Sequence, residues 1–187
     1  MSKYIWSDQD LAKLKQLILE RDKIVIFPHT GPDGDALGST LAWAGLLRSA
    51  HPGASVQVIS PDPIESYLAW LPALDELVIF PLEEERSLQL IAEADLIFHL
   101  DHNQISRLRY PRLVEAATSA QAPRVLIDHH LYPEAGFDLT FSYADASATS
   151  ELIHALALAL GWRSAITPDL ATLLLTGIIT DTGRFMY

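Results

Sequence analysis

Short, uninterrupted apolar runs recur along this chain, and they constrain its fold more than any other feature. The clearest is residues 23–27, where β-branched and aromatic side chains follow one another until Pro28 ends the run. Similar runs occupy residues 56–59, 77–80, 96–100 and 125–127. A strand with one face in water would alternate apolar and polar residues, so these runs predict a parallel sheet that is covered on both faces.

The segments between these runs have apolar residues at helical spacing. A first amphipathic helix is predicted over residues 8–20, behind a Ser7/Asp8 cap. Further helices are predicted at residues 35–49, 83–94, 112–120, 148–160 and 168–179, with an edge strand at 138–143. This alternation predicts an α/β fold: a doubly wound, mostly parallel sheet of about five strands with helices on both faces.

Charge and cysteine content narrow the functions that fit this fold. The 187 residues carry 24 Asp and Glu against 13 Lys and Arg, a net charge of −11, which argues against binding of a long nucleic-acid duplex. The chain has no cysteine, so a metal ion would be held by His and carboxylate ligands. Such ligands favour hard or borderline cations such as Mn²⁺ or Mg²⁺.

The sequence also suggests a location and a domain organisation. No apolar stretch is long enough to span a bilayer, and the first eight residues lack the pattern of a signal peptide, which predicts a cytoplasmic protein without a membrane partner. Residues 180–187 carry polar groups typical of a functional site, and no predicted helix or strand follows them to complete the domain. We therefore expect residues 1–187 to be the front domain of a longer protein, with a homodimer left open.

Acidic and imidazole groups come directly after three of the predicted strands. In an open α/β sheet the carboxyl ends of the strands line one crevice, so these groups are expected to converge there. The first run is followed by His29, Asp33 and Asp35, the fourth by Asp101, and the fifth by Asp128, His129 and His130.

So many carboxylates in one crevice, with Asp181 added, would repel one another unless cations compensated their charge. Two divalent ions about 3.5–4 Å apart, bridged by a carboxylate, would do so and would hold a nucleophilic hydroxide between them. Taken alone, Asp33-Gly34-Asp35 is more typical of a turn, and His129-His130 of a surface pair. Their occurrence together at strand ends favours the metal site.

Other histidines and the tryptophans have simpler interpretations. His102 lies close enough to the crevice to compete as a ligand, whereas His99 is predicted to lie in the core or behind the ligands. Trp43, Trp70 and Trp162 each lie among apolar residues, which predicts core packing and not base stacking.

The crevice residues resemble the motifs of the DHH phosphoesterase superfamily. The first motif is similar to residues 29–39, the second to Leu100-Asp101, the third to Asp128-His129-His130 and the fourth to residues 180–184, while residues 147–151 resemble a further family segment. The similarity extends from about residue 23 to residue 185. It is greatest to the nanoRNase and pAp-phosphatase branch, whose members use manganese to shorten very small oligonucleotides and to dephosphorylate 3′-phosphoadenosine 5′-phosphate.

The resemblance implies a role for each matched residue. It implies two divalent cations, Mn²⁺ first, with Mg²⁺ or Co²⁺ as alternatives. The first ion would be bound by His29 and Asp33, the second by Asp35, His129 and Asp181, and Asp101 would bridge them. 

Four residues would act around these metal ions. Asp128 would orient an imidazole, and His130 would face the substrate phosphate. Arg107 and Arg184 could pair with phosphate oxygens, although a surface salt bridge explains either arginine equally well.

The predicted function is therefore that of a manganese-dependent phosphoesterase. Its partners would be short single-stranded RNA or DNA oligonucleotides or small phosphorylated nucleotides. Three alternatives stay open: a cyclic-dinucleotide phosphodiesterase, a catalytically silent nucleotide-binding module, and a manganese inorganic pyrophosphatase, whose first motif typically has Thr where this chain has Gly34. The family's smaller domain, which carries a glycine-rich, His-containing motif, has no counterpart in these residues.

Overall fold

A computed structural model describes residue 4 and residues 6–186 of the chain. The predictions made for residues 1–8 and for the end of the domain therefore fall partly outside the described residues. The strands are β1 (Lys23–Phe27), β2 (Ser55–Ser60), β3 (Leu77–Ile79), β4 (Leu96–Leu100), β5 (Arg124–Asp128) and β6 (Leu139–Ser142). The helices are α1 (Asp8–Leu19), α2 (Gly34–Ala50), α3 (Glu84–Glu93), α4 (Pro111–Ser119), α5 (Thr149–Ala159) and α6 (Pro168–Asp181).

The described strands form one parallel sheet in the order β3-β2-β1-β4-β5-β6. The predicted fold class is confirmed. The sheet has six strands where about five were predicted, because the edge segment pairs with β5 along its whole length, from Leu139 opposite Val125 to Ser142 opposite Asp128. The α6 helix continues two residues beyond the predicted end at 179, which places Asp181 in its last turn.

Two apolar layers explain why the strands are uninterrupted apolar runs. In β1, Ile24 and Ile26 pack into the layer that holds α1, α2, α5 and α6. Their neighbours Val25 and Phe27 pack into the opposite layer, which holds α3 and α4. Successive side chains of a strand point to opposite faces, so a sheet covered on both faces leaves few positions for polar residues.

The tryptophans divide between core and surface. Trp43 is fully buried, and its ring meets Phe98 edge-on at 5.6 Å and Trp162 at 5.8 Å between centroids. The core prediction for Trp70 is wrong: its side chain is 62% exposed, because it follows a short 3-10 turn at the surface between β2 and β3. No helix among the described residues is long and apolar enough to cross a membrane.

The strand order places a crevice beside β1. Chain connections from β1 run to one side through β2 and to the other side through β4, so the order reverses between β1 and β4. In doubly wound sheets ligands bind in the crevice at such a reversal, outside the carboxyl ends of the strands. The groups that follow β1, β4 and β5 lie at this position.

Candidate metal centre

Six predicted ligands converge at the carboxyl ends of β1, β4 and β5. Within each of two groups, one ligand atom per residue lies within 4.8 Å of the others. One group is His29, Asp33 and Asp101, and the other is Asp35, His129 and Asp181. Asp101 lies between the two groups: its Oδ2 is 3.5 Å from His29 Nε2 and its Oδ1 is 3.5 Å from His129 Nε2.

Asp33 begins α2 and also faces the cluster. Its Oδ1 accepts hydrogen bonds from the backbone N–H groups of Asp35 at 2.9 Å and Ala36 at 3.0 Å, which makes it the N-cap of the helix. Its Oδ2 lies 3.9 Å from His29 Nε2. The turn interpretation and the ligand interpretation of the Asp-Gly-Asp sequence are therefore compatible, because each uses a different oxygen.

Asp35 is fully buried and joins α2 to the start of α5. Its Oδ2 accepts from Thr149 N at 2.6 Å and its Oδ1 accepts from Ser150 N at 2.9 Å. These two amides lie at a helix N-terminus and have no partner within the helix, and a negative charge is favourable at this position. Burial is the largest influence and raises the pKa of Asp35, partly offset by the bonds from Ser150.

Asp101 follows β4 in a left-handed backbone conformation, with φ of 61°. Asp tolerates this region better than most residues, and such conformations concentrate at functional sites. Its carboxylate is buried and accepts a hydrogen bond from Thr149 Oγ1 at 2.9 Å. Burial, followed by the carboxylates of Asp35 and Asp33, raises the pKa of Asp101 well above its usual range. His129 and the Thr149 hydroxyl therefore compensate its charge only in part.

Both clustered imidazoles are oriented through Nδ1. His29 Nδ1–H donates to Thr30 O at 2.7 Å, and His129 Nδ1–H donates to Ala146 O at 3.3 Å. Each ring therefore directs Nε2 at the carboxylates and leaves that atom for a metal ion, which would take the place of any proton on it.

His129 and Asp181 form the tightest pair of the cluster, with 3.1 Å between Nε2 and Oδ2. Burial alone would lower the pKa of His129, but the carboxylates of Asp181, Asp101 and Asp35 raise it to about 9. Asp181 is the last residue of α6, where the helix dipole disfavours a negative charge. A positive partner compensates this placement.

The donor set fits divalent cations. It consists of carboxylate oxygens and neutral imidazole nitrogens, the ligands of Mn²⁺ and Mg²⁺ in proteins. Buried carboxylates with raised pKa values indicate negative charge that a cation would neutralise. The six residues can therefore hold such ions, one in each group.

The next pair, Asp128 and His130, lies beside the cluster. His130 Nδ1–H donates to Asp128 Oδ1 at 2.7 Å, so the other nitrogen, Nε2, is available to a substrate. The Asp128 carboxylate is fully buried, and its Oδ2 has no hydrogen-bond partner among the described residues. Asp128 thus orients His130, the imidazole predicted to face phosphate.

The structure brings neither predicted arginine into contact with the six clustered residues through an ion pair or hydrogen bond within its described part. Arg107 lies half-buried in a 3-10 turn (Ile105–Leu108), and its Nε is buried without a partner among the described residues. Arg184 is exposed beyond the end of α6, with φ of 63°.

His102 does not act as a competing ligand in this arrangement. Its Nδ1–H donates to Leu100 O at 2.8 Å, and its Nε2 accepts from His99 Nδ1 at 3.0 Å, so both nitrogens are occupied. Burial lowers the pKa of His102 to about 4 and that of His99 well below its usual range. The two form a neutral, buried pair behind β4.

One acidic residue near the site was missed by the sequence analysis. Asp62 follows β2 and contacts Thr30 and Gly31, directly after His29, as well as Tyr110. The sequence pattern that could have identified Asp62 is the one that identified the predicted ligands: a carboxylate that follows a buried strand. The predicted site includes only the groups that follow β1, β4 and β5, together with Asp181.

Comparison with known proteins identifies relatives with this fold. The chain is 32% identical to the bifunctional oligoribonuclease and PAP phosphatase NrnA of Mycoplasma pneumoniae, over 100% of this chain and 54% of that protein. It is 30% identical to the cyclic-di-AMP phosphodiesterase GdpP of Geobacillus thermodenitrificans, over 92% of this chain and 26% of that protein. The crystal structure of an exopolyphosphatase-related protein from Bacteroides fragilis matches with a TM-score of 0.94 and 34% identity, over 100% of this chain and 54% of that one.

These relatives carry the names of phosphatases and phosphodiesterases, which are phosphoric-ester hydrolases. The chain spans about half the length of the NrnA protein that it matches over its full extent. The model of the DHH family, N-terminal domain, matches residues 23–178, the segment that contains the sheet and five of the clustered side chains. The chain therefore belongs to the DHH family.

Proposed function

We propose that this chain is the metal-binding part of a manganese-dependent phosphoesterase that hydrolyses short oligoribonucleotides and 3′-phosphoadenosine 5′-phosphate. The observation that carries the proposal is the convergence of six oxygen and nitrogen ligands into two groups that share a central carboxylate. The similarity to NrnA over the whole chain supports the substrate class. The matched proteins are about twice as long, which supports residues 1–187 as one domain of a longer protein.

The ligand assignment follows the two groups. His29 and Asp33 would hold one divalent ion, with Asp101 shared. Asp35, His129 and Asp181 would hold the other. Ions bound there would stabilise negative charge on a phosphoryl group and lower the pKa of water at the site.

The protein's own groups would then position the substrate. His130, oriented by Asp128 through Nδ1, would present Nε2 to a phosphate oxygen. Arg107 carries a half-buried guanidinium, which would pair with a phosphate oxygen. Arg184, exposed beyond α6, would make a more peripheral contact.

The test is hydrolysis, by the longest form of the protein, of a diribonucleotide, 3′-phosphoadenosine 5′-phosphate, cyclic di-AMP and pyrophosphate, with and without Mn²⁺. We expect manganese-dependent cleavage of the first two. Asp101→Asn should abolish it, whereas Asp95→Asn, a matched substitution that affects the opposite end of β1, should not. Unchanged hydrolysis by Asp101→Asn would refute the bridging role.

A second candidate function is the hydrolysis of cyclic di-AMP. It is favoured by the 30% identity to GdpP, which covers nearly the whole of this chain. Cleavage of cyclic di-AMP alone in the same panel would establish this candidate. A pyrophosphatase is less favoured, because a Cβ at Gly34 would lie 2.6 Å from the side chain of Thr180, leaving little room for Thr at this position. A cytoplasmic location and a homodimer remain predictions.

A further inference from the structure

Three loops meet at one carboxylate outside the ligand cluster, that of Asp62. Its Oδ2 accepts hydrogen bonds from the hydroxyl of Thr30 and from Gly31 N, the latter at 2.7 Å. Its Oδ1 accepts from the hydroxyl of Tyr110 at 2.9 Å. The Asp62 backbone is held in turn by Ser60, whose hydroxyl donates to Asp62 O at 2.7 Å. Asp62 thus joins the loops that follow β1 and β2 to the segment before α4.

These bonds hold a charged group at a fixed place. Burial alone would raise the pKa of Asp62, but the hydrogen bonds from Thr30, Gly31 and Tyr110 hold it below the usual range. The carboxylate is therefore ionised at neutral pH, and bonds to an ionised acceptor are stronger than neutral ones. 

The loop that Asp62 holds is the one that orients His29. Thr30 O accepts the His29 Nδ1–H at 2.7 Å, which fixes the ring so that Nε2 faces Asp101 at 3.5 Å. The position of Thr30 O depends on its own hydroxyl and on the next amide, both of which are bound by Asp62. Gly31 has φ of 59°, and no atom lies within 4 Å of the position that a Cβ would take, so its backbone relies on hydrogen bonds from other segments to stay in place.

The same loop is tied to the segment that carries Arg107. Thr30 N donates to Arg107 O at 3.0 Å, and Tyr110, three residues later, reaches Asp62 through its hydroxyl. A displacement of Asp62 would therefore move one proposed metal ligand and one proposed phosphate contact together. In the other group, the side chains of Asp35, His129 and Asp181 have no hydrogen bond to Asp62, Thr30 or Tyr110 in the described part of the chain.

We propose that Asp62 is a positioning residue that fixes the orientation of His29 through Thr30 and thereby sets the affinity of one of the two metal sites. The inference rests on the proposed function, because it requires that the cluster binds divalent ions. It distinguishes the sites: the group of His29, Asp33 and Asp101 depends on Asp62, whereas the group of Asp35, His129 and Asp181 does not. Loss of a partner that orients a metal-bound histidine typically weakens metal affinity by about 10- to 100-fold.

The experiment counts bound Mn²⁺ in the full chain by calorimetric titration, with free Mn²⁺ followed by electron paramagnetic resonance. The wild type should bind two ions. Asp62→Asn should bind one ion with unchanged affinity and the second about 10-fold or more weakly. Tyr110→Phe removes only one bond to Asp62, so it keeps the fold least disturbed and should weaken the same single site by a smaller factor.

Asp95→Asn is the matched control. Asp95 also accepts two backbone N–H bonds, from Lys23 at 2.9 Å and Asp22 at 3.2 Å, but at the other end of β1. It should lower stability to a similar extent and leave both dissociation constants unchanged. Equal affinities in wild type and Asp62→Asn, or equal weakening of both sites, would overturn the inference. A wild type that binds no Mn²⁺ would instead overturn the proposed metal centre itself.

Discussion

Replacement of Gly177 by alanine should displace the Asp35 carboxylate of the candidate metal centre. A Cβ at this position of α6 would lie 2.1 Å from Ser150 Oγ, 2.8 Å from Ser150 Cβ and 2.5 Å from Asp35 Oδ1. Ordinary contacts of a Cβ are longer by about an ångström, so α5 and the Asp35 carboxylate would have to move. That movement would weaken the hydrogen bonds from Thr149 N and Ser150 N to Asp35.

The expected change in the free energy of unfolding is the sum of opposing contributions. Overpacking of a core costs about 1–3 kcal/mol, and each weakened bond to a charged group costs up to about 1.5–3 kcal/mol. Alanine in place of glycine inside a helix offsets about 1 kcal/mol. We expect a net loss of about 3 kcal/mol in the free energy of unfolding, which for a chain of this size lowers the midpoint by about 6–12 °C.

The assay is urea and thermal unfolding of the metal-free chain, followed by Mn²⁺ titration. Gly45→Ala is the matched control, because a Cβ there would meet the end of the flexible Leu170 side chain, with Cδ2 at 2.5 Å, and no backbone. It should change stability by less than about 1 kcal/mol, since a flexible side chain can reorient. If Gly177→Ala matches this control in both stability and Mn²⁺ affinity, the close packing of α6 against Asp35 does not hold the ligand in place.

Three further predictions concern the unfolding of the chain with and without metal ions. Asp101→Asn should raise the unfolding midpoint of the metal-free chain, because burial raises the pKa of Asp101 and its ionised form costs stability at neutral pH. Thermal scans with Mn²⁺ should show no stabilisation of this variant. The pKa of His129 is raised from 6.5 to about 9, so its contribution to stability is complete below pH 6.5 and is lost as the pH rises through about 9; His129→Gln should flatten this slope in urea titrations. Mn²⁺ at 100 times its dissociation constant should add about 2.7 kcal/mol per site to the free energy of unfolding, reversed by a chelator; an unchanged midpoint would contradict metal binding.

The strand pattern predicted the sheet because burial on both faces leaves a one-dimensional signal. Residues 24–27, for example, contain no polar residue, and the positions of Ile24 and Val25 in opposite layers account for this. The edge strand β6 gives a weaker signal for the same reason, because Thr140 is exposed between the buried Leu139 and Phe141 and breaks the apolar run. Trp70 was misplaced because an apolar neighbourhood in sequence does not distinguish a core position from a surface turn.

The convergence of five of the six clustered residues could be predicted from the sequence, because these five follow strands whose carboxyl ends meet by topology. The contacts that orient these side chains could not be predicted from the sequence. Ala146 O and Thr30 O, which fix the imidazoles of His129 and His29, are backbone groups that carry no side-chain signal. The capping of α5 by Asp35 joins residues 114 positions apart, so only the fold reveals it.

The same contacts that build the site also link it to the packing of three helices. Asp35 belongs to α2 but caps α5, and Gly177 of α6 leaves the space that its carboxylate occupies. Asp181 closes α6 with a charge that the helix end disfavours, and His129 offsets it. The burial of Asp35 and the position of Asp181 at a helix C-terminus each cost stability in the absence of a cation, and a bound cation would reduce both costs. Divalent ions should therefore tighten α2, α5 and α6 as a unit, so that amide hydrogen exchange slows in all three helices when Mn²⁺ binds, and not only beside the ligands. Exchange that slows only in the loops holding His29 and His129 would show that the helices are rigid without the metal.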